Sequence, residues 1–220
     1  MVSADSDLPS PAPSPAEPRR PAYVDDAVTR SAKLLVAGSF GVGKTTFISS
    51  VSEIRPLCTE APMTTLSIGT DRLDGLDGKR TTTVAMDFGR ITLLPRTAPP
   101  IVLYLFGTPG QQRFWNVWQG HGLASGAAGA LVLVDTRRLG DSFEVLDQLE
   151  TRVPDLPIAV AVNVFPDSPP HALATVHRKL DLLPHTPITS CVATRRDSSR
   201  DALVTLVEHA LARSLEGGAS

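Results

Sequence analysis

The chain has 220 residues, 42% hydrophobic and 20% charged, with a formal net charge of −2 and a pI near 6.2. That is room for one domain with a full core, and the weakly acidic balance lacks the basic footprint of a nucleic-acid-binding surface. No apolar run approaches the roughly 20 residues of a membrane helix. The start has no signal-peptide order, Val2 excludes myristoylation and the Glu-Gly-Gly-Ala-Ser end is no prenylation box, so a cytoplasmic protein is expected, reaching a membrane only through partners.

Residues 1–30 differ from the rest. Six of the thirteen residues from Pro9 to Pro21 are proline, interleaved with Ser and Ala. Such a segment buries little apolar surface and reads as a disordered or polyproline-II tail. A domain is expected over 31–215.

Strands and helices then alternate. Lys33–Ala37 reads as a short buried strand, and Gly43 to about Val51 as a helix opened by a Gly-rich loop. Thr83–Leu94 is extended. Pro100–Phe106 is a continuous apolar run, as in a central strand covered on both faces. After a further helix, Gly129–Asp135 is another buried strand. A helix opens at Asp141-Ser-Phe-Glu144 with a capping-box-like start. Pro157–Val162 is a strand. Ser168-Pro169 reads as an N-cap followed by proline at the first helical position, with Leu173, Val176 and Leu180 on one face of the helix. Pro187–Val192 is a strand. The last helix carries Leu203, Leu206, Val207, Ala210, Leu211 and Leu215 on one stripe. This alternation predicts an α/β fold: a six-stranded, mainly parallel sheet with helices on both faces and one antiparallel pair from the adjacent strands at 83–106.

Cys58 and Cys191 lack C-x-x-C spacing, and His121, His171, His177, His185 and His209 form no zinc pattern, so two reduced thiols are expected.

The chemistry concentrates at Gly38-Ser39-Phe40-Gly41-Val42-Gly43-Lys44-Thr45, followed by Thr46, which matches G-x-x-x-x-G-K-S/T between a strand and a helix. Glycines let successive N–H groups face phosphate oxygens, and the helix N-terminus adds partial positive charge. In this P-loop, Lys44 is expected to reach the β- and γ-phosphates, and Thr45 to give a hydroxyl to Mg²⁺.

Two further segments are Thr81-Thr-Thr-Val-Ala-Met-Asp-Phe88 and Phe106-Gly-Thr-Pro-Gly-Gln-Gln-Arg-Phe114. With the P-loop, they resemble the switch segments of the Ras-like small GTPases, and most closely those of the gliding-motility-GTPase-like enzymes of actinobacterial conservons. Gly126–Asp135 resembles the strand that follows switch II. The resemblance covers about residues 32–215. It implies GTP and GDP as ligands, Mg²⁺ as cofactor, and slow, partner-stimulated hydrolysis in signal transduction. It also implies a roadblock-type regulator and a sensor-kinase-like protein as partners. By the same resemblance Thr83 is the switch I threonine, a ligand of Mg²⁺ and γ-phosphate. Gly110 is the switch II glycine on that phosphate, and Gln111 orients the attacking water, with Lys44 stabilising charge.

Three positions depart from the pattern. Gly107 stands where the switch II aspartate would hold Mg²⁺ through water, with Asp87 on the adjacent strand either a substitute or a structural residue. Asn163-Val-Phe-Pro-Asp167 blurs the guanine-reading Asn-Lys-x-Asp: Asn163 matches, Val164 replaces the lysine and Pro166 takes the aspartate position. Asp167 then reads the base only if the loop bulges; otherwise it is a helix cap. Ala193, within Val192-Ala193-Thr194, can offer an N–H to the base oxygen but lacks the neighbouring lysine. The stretch 53–80 reads as an extended switch I, where Arg72 or Arg80 is either an arginine finger or a surface residue. Trp115 and Trp118 are either partner anchors or core. A scaffold with little hydrolysis and a P-loop ATPase or kinase stand as the other readings.

Overall fold

Residues 28, 30–62, 83–95, 98–108 and 124–217 are described by a computed structural model, with backbone alone at 57–62 and 83–85. The chain forms the strands β1 (Arg30–Ala37), β2 (Leu57–Pro62), β3 (Thr83–Leu93), β4 (Ile101–Gly107), β5 (Ala127–Val134), β6 (Ile158–Asn163) and β7 (Ile188–Cys191). Between them lie the helices α1 (Lys44–Val51), α2 (Asp141–Arg152), α3 (Leu173–Lys179) and α4 (Arg196–Gly217).

The strands form one sheet in the order β2-β3-β4-β1-β5-β6-β7. β1 pairs in parallel with both β4 and β5, and β5-β6 and β6-β7 continue in parallel. β3 runs antiparallel to β4, as expected from their adjacency in the chain. The six expected strands are all present. A seventh, β2, adds a second antiparallel pair at the edge. Leu57-Cys-Thr-Glu-Ala-Pro62 has no strong apolar alternation; pairing with β3 makes it a strand, and sequence read locally cannot see that pairing.

Strand side chains alternate between two cores. Leu34, Val36, Leu103, Leu105, Leu131 and Leu133 face one way and pack under α1 and α4 with Phe47, Ile48, Leu203 and Leu206. Leu35, Ala37, Val132, Val134, Val160 and Val162 face the other way against Val145, Leu146 and Leu149 of α2 and Val176 and Leu180 at α3. β1 is central: the chain builds β2, β3 and β4 on one side of it and then β5, β6 and β7 on the other. Its carboxyl end is therefore a topological switch point, where open α/β sheets bind ligands.

Three helix expectations are corrected. α2 starts at Asp141 behind Gly140, without a side-chain cap, so the expected capping box is absent. α3 begins at Leu173 rather than after Ser168. Ser168 instead closes a turn, its Oγ accepting from the Phe165 N–H at 2.9 Å and its own N–H donating to the Phe165 carbonyl at 3.0 Å. Pro170 also disfavours helical backbone at Pro169. In α4 the apolar stripe is buried at Leu203 and Leu206, but Leu211 and Leu215 are exposed because the helix outruns the sheet.

Leu206 is fully buried on the core shared by α4 and β5. Leu206→Ala should lower the stability measured by urea unfolding by about 2–5 kcal/mol, whereas Leu215→Ala on the same stripe should change it by less than about 0.5 kcal/mol.

Candidate functional site

The loop after β1 turns on backbone that only glycine accepts readily. Gly38, Gly41 and Gly43 all have positive φ, at 145°, 76° and 101°. A Cβ on Gly38 would lie 2.6 Å from the Leu133 carbonyl oxygen, and one on Gly43 would lie 2.7 Å from Asn163 Nδ2. The loop therefore sits directly against the ends of β5 and β6. Gly43 is the left-handed N-cap of α1, and its carbonyl accepts from the Phe47 N–H at 2.8 Å. The N–H groups of Lys44, Thr45 and Thr46 precede any intrahelical acceptor and present the helix dipole's positive end. Phe40, at the loop's tip, is exposed, and Val42 is buried in the core below it.

Lys44 folds back over this loop. Its Nζ donates to the carbonyls of Gly38 and Ser39, both at 2.8 Å, and the residue is only 9% exposed. Burial pushes its pKa from the ordinary 10.5 down to about 8, with nearby Asp87 partly opposing the shift. The cradle thus holds a poorly solvated ammonium, and an anion laid against it would gain the charge-assisted bonds that water no longer supplies.

Thr45 Oγ donates to Asp87 Oδ2 at 2.6 Å. Asp87 lies on β3 directly opposite Gly107 on β4. A Cβ at Gly107 would come within 2.9 Å of Asp87 Cβ and 3.1 Å of its Oδ2. The space that a residue with a side chain would fill at 107 is taken by the Asp87 carboxylate. The hydroxyl–carboxylate pair is a hard-oxygen set beside the phosphate cradle and fits Mg²⁺. Among the described residues no group of three or more His, Cys, Asp or Glu could hold a metal ion. Thr83 opens β3 opposite Pro62; only its backbone is described. Gly110, Gln111, Trp115, Trp118, Arg72 and Arg80 lie outside the described residues.

Asn163 ends β6 and is 3% exposed. Its Nδ2 donates to the Val42 carbonyl at 2.9 Å, and its Oδ1 accepts from the Ala193 N–H at 3.0 Å. The side chain thus clamps the phosphate loop to the loop after β7. The Ala193 N–H, expected at a base oxygen, is engaged by the Asn163 amide in this structure. Val164, in the lysine position, is exposed.

Sequence reasoning missed two arginines at the start of the β5–α2 connection. Arg138 Nη2 donates to the Phe40 carbonyl at 3.3 Å and lies 3.4 Å from where a Cβ on Gly41 would be. Arg137 bonds both oxygens of Asp135 and reaches Asp167 at 2.6 Å. The Arg137 guanidinium beside Asp135 holds that carboxyl below its ordinary range. The available signal was Asp135-Thr-Arg-Arg138 at the carboxyl end of a predicted buried strand.

A family model described as a conserved hypothetical ATP binding protein matches residues 36–213. The chain belongs to that family. No curated protein matches it. The family match and the α/β sheet make it a P-loop nucleotide-binding protein. No helix among the described residues is long and apolar enough to cross a membrane. The described free cysteine, Cys191, is buried, and burial pushes its thiol up to about 12.

Lys44 couples the stability of the fold to pH. The unfolded chain keeps this lysine protonated to about 10.5, while the folded chain releases the proton near 8. Between these values the unfolded state binds more protons, so the stability of the nucleotide-free protein should rise with pH across that window. Urea midpoints at pH 7.5, 9 and 10 should show this rise relative to Lys44→Met, in which the contribution is gone.

Proposed function

We propose that this chain is a GTP-binding switch of the Ras-like kind, closest to the conservon branch, that hydrolyses GTP slowly with Mg²⁺. The observation that carries the reading is the clamp of Asn163 across the phosphate loop and the β7 loop, together with a desolvated Lys44 in that loop. A γ-phosphate on this cradle would be met by Lys44 and by the N–H groups of α1. Thr83 and Gly110 would join it from the two switch segments, so that loss of the phosphate releases both. Gln111 orients the water for in-line attack, and Lys44 holds charge on the departing phosphates.

Mg²⁺ would be held by Thr45 and Thr83, with Asp87 as the outer anion in place of the absent switch II aspartate. When bound, the metal would supply charge neutralisation for the nucleotide's phosphates. Asp87 accepts from Thr45 and so orients that hydroxyl's lone pairs. Residues 31–215 form the nucleotide domain behind a Pro-rich tail, acting in the cytoplasm with a roadblock-type regulator and a sensor-kinase-like protein.

A second reading takes ATP as the ligand. It is favoured by the family's description. Binding of GTP, GDP and ATP to the purified protein, with and without Mg²⁺, separates the two. GTP and GDP should bind at least about tenfold more tightly than ATP; equal affinities would reject the switch reading and leave the cradle intact.

Lys44→Ala should weaken GTP binding roughly a hundredfold, since it removes the partner of a buried phosphate charge. Asp87→Asn should raise the Mg²⁺ concentration that supports half-maximal GTP binding by roughly tenfold. Gln111→Leu should leave GTP affinity within about threefold while slowing phosphate release in single-turnover assays by at least about tenfold.

A further inference from the structure

We infer that Arg137 sets the nucleotide preference by holding Asp167 where it can read the base. The inference rests on the GTP reading above and deepens it. Two of the three residues expected at the base are engaged elsewhere. Both ends of the Asn163 amide are bonded, and the Ala193 N–H belongs to one of those bonds. Base discrimination then falls to Asp167, which stands one residue late, after Pro166.

The fold corrects that offset. Phe165–Ser168 closes as a turn through two hydrogen bonds, so the chain curls and carries Asp167 to Arg137. Arg137 is itself immobilised. Its Nε and Nη2 donate to Asp135 Oδ1 and Oδ2 at 2.9 and 2.7 Å, and its backbone N–H donates to Oδ1 at 3.0 Å. Asp135 is 1% exposed and caps the short 3-10 turn that follows β5. The guanidinium also lies over the Phe165 ring, 3.7 Å from its centroid. One corner of the fork, Nη1, remains, and it donates to Asp167 Oδ1 at 2.6 Å.

That is the sole hydrogen bond to Asp167 among the described residues, and its side chain is 69% exposed. A carboxylate has about four acceptor sites, so one bond from Arg137 leaves both oxygens able to accept again. Guanine offers N1–H and a 2-amino N–H side by side to such a group. Adenine offers a bare N1, which a carboxylate repels. An exposed turn aspartate would lose rotamer freedom on binding; tethering it to the sheet through Arg137 and Asp135 removes part of that cost in advance. Arg137 is thus a positioning residue that acts through Asp167.

The test uses the full chain with Mg²⁺ and compares dissociation constants for GTP, ITP and ATP in the wild type, Arg137→Met, Arg137→Lys and Asp167→Ala. The wild type should prefer GTP over ATP, and over ITP, which lacks the 2-amino group. Arg137→Met should shrink the GTP-to-ATP preference about tenfold through weaker GTP binding, with ATP affinity unchanged. Arg137→Lys should restore part of it. If Arg137→Met leaves Asp135 buried with only the longer Arg138 contact at 3.6 Å and the protein fails to fold, Asp135→Asn/Arg137→Met removes that charge and carries the same comparison. Equal losses for GTP and ATP would make Arg137 a brace of the fold and overturn the inference. So would a preference kept in Arg137→Met but lost in Asp167→Ala. A wild type without preference would instead overturn the GTP reading on which the inference stands.

Discussion

The site depends on one buried amide. Asn163 bonds the Val42 carbonyl in the phosphate loop and the Ala193 N–H after β7, and so ties the carboxyl ends of β1, β6 and β7 together. Gly43 is the counterpart of that contact: a side chain there would strike Nδ2, so the loop's left-handed turn and the amide's position specify each other. An unpaired amide at this depth would be costly, which makes the clamp an all-or-nothing arrangement.

The charges around the cradle follow a similar logic of exchange between neighbours. The negative charge expected at the end of β4 is missing, and Gly107 leaves the space into which Asp87 projects from β3. Antiparallel pairing puts the two residues side by side, so a carboxylate on either strand reaches nearly the same place. The cation expected at Val164 is likewise missing, while Arg137 and Arg138 enter from the β5–α2 connection, where parallel β5 ends next to β6.

The legible part of the fold was the part with strong local patterning. The apolar runs within β1, β4 and β5 could be read because most of their side chains are buried on both faces, and the Gly-rich loop because its glycines meet a requirement of the backbone itself. β2 was not legible, since its strand character comes from pairing with β3. The start of α3 was misplaced because Ser168 has two uses for its hydroxyl, and it caps the Phe165 turn. The end of the α4 stripe was misjudged because periodicity reports which face is apolar, not where the sheet beneath it stops.

Sequence alone determined the phosphate cradle of this protein. Gly38, Gly41, Gly43, Lys44 and Thr45 are contiguous, and their roles depend on local backbone freedom and on a helix terminus. Tertiary structure alone decided the partners of that cradle. Asp87 meets Thr45, Asn163 meets Val42 and Ala193, and Arg137 meets Asp167 across sequence separations of 42, 121 and 30, and 30 residues. Nothing in a local window encodes such meetings, because strand order and register create them, and those are settled only when the whole sheet assembles.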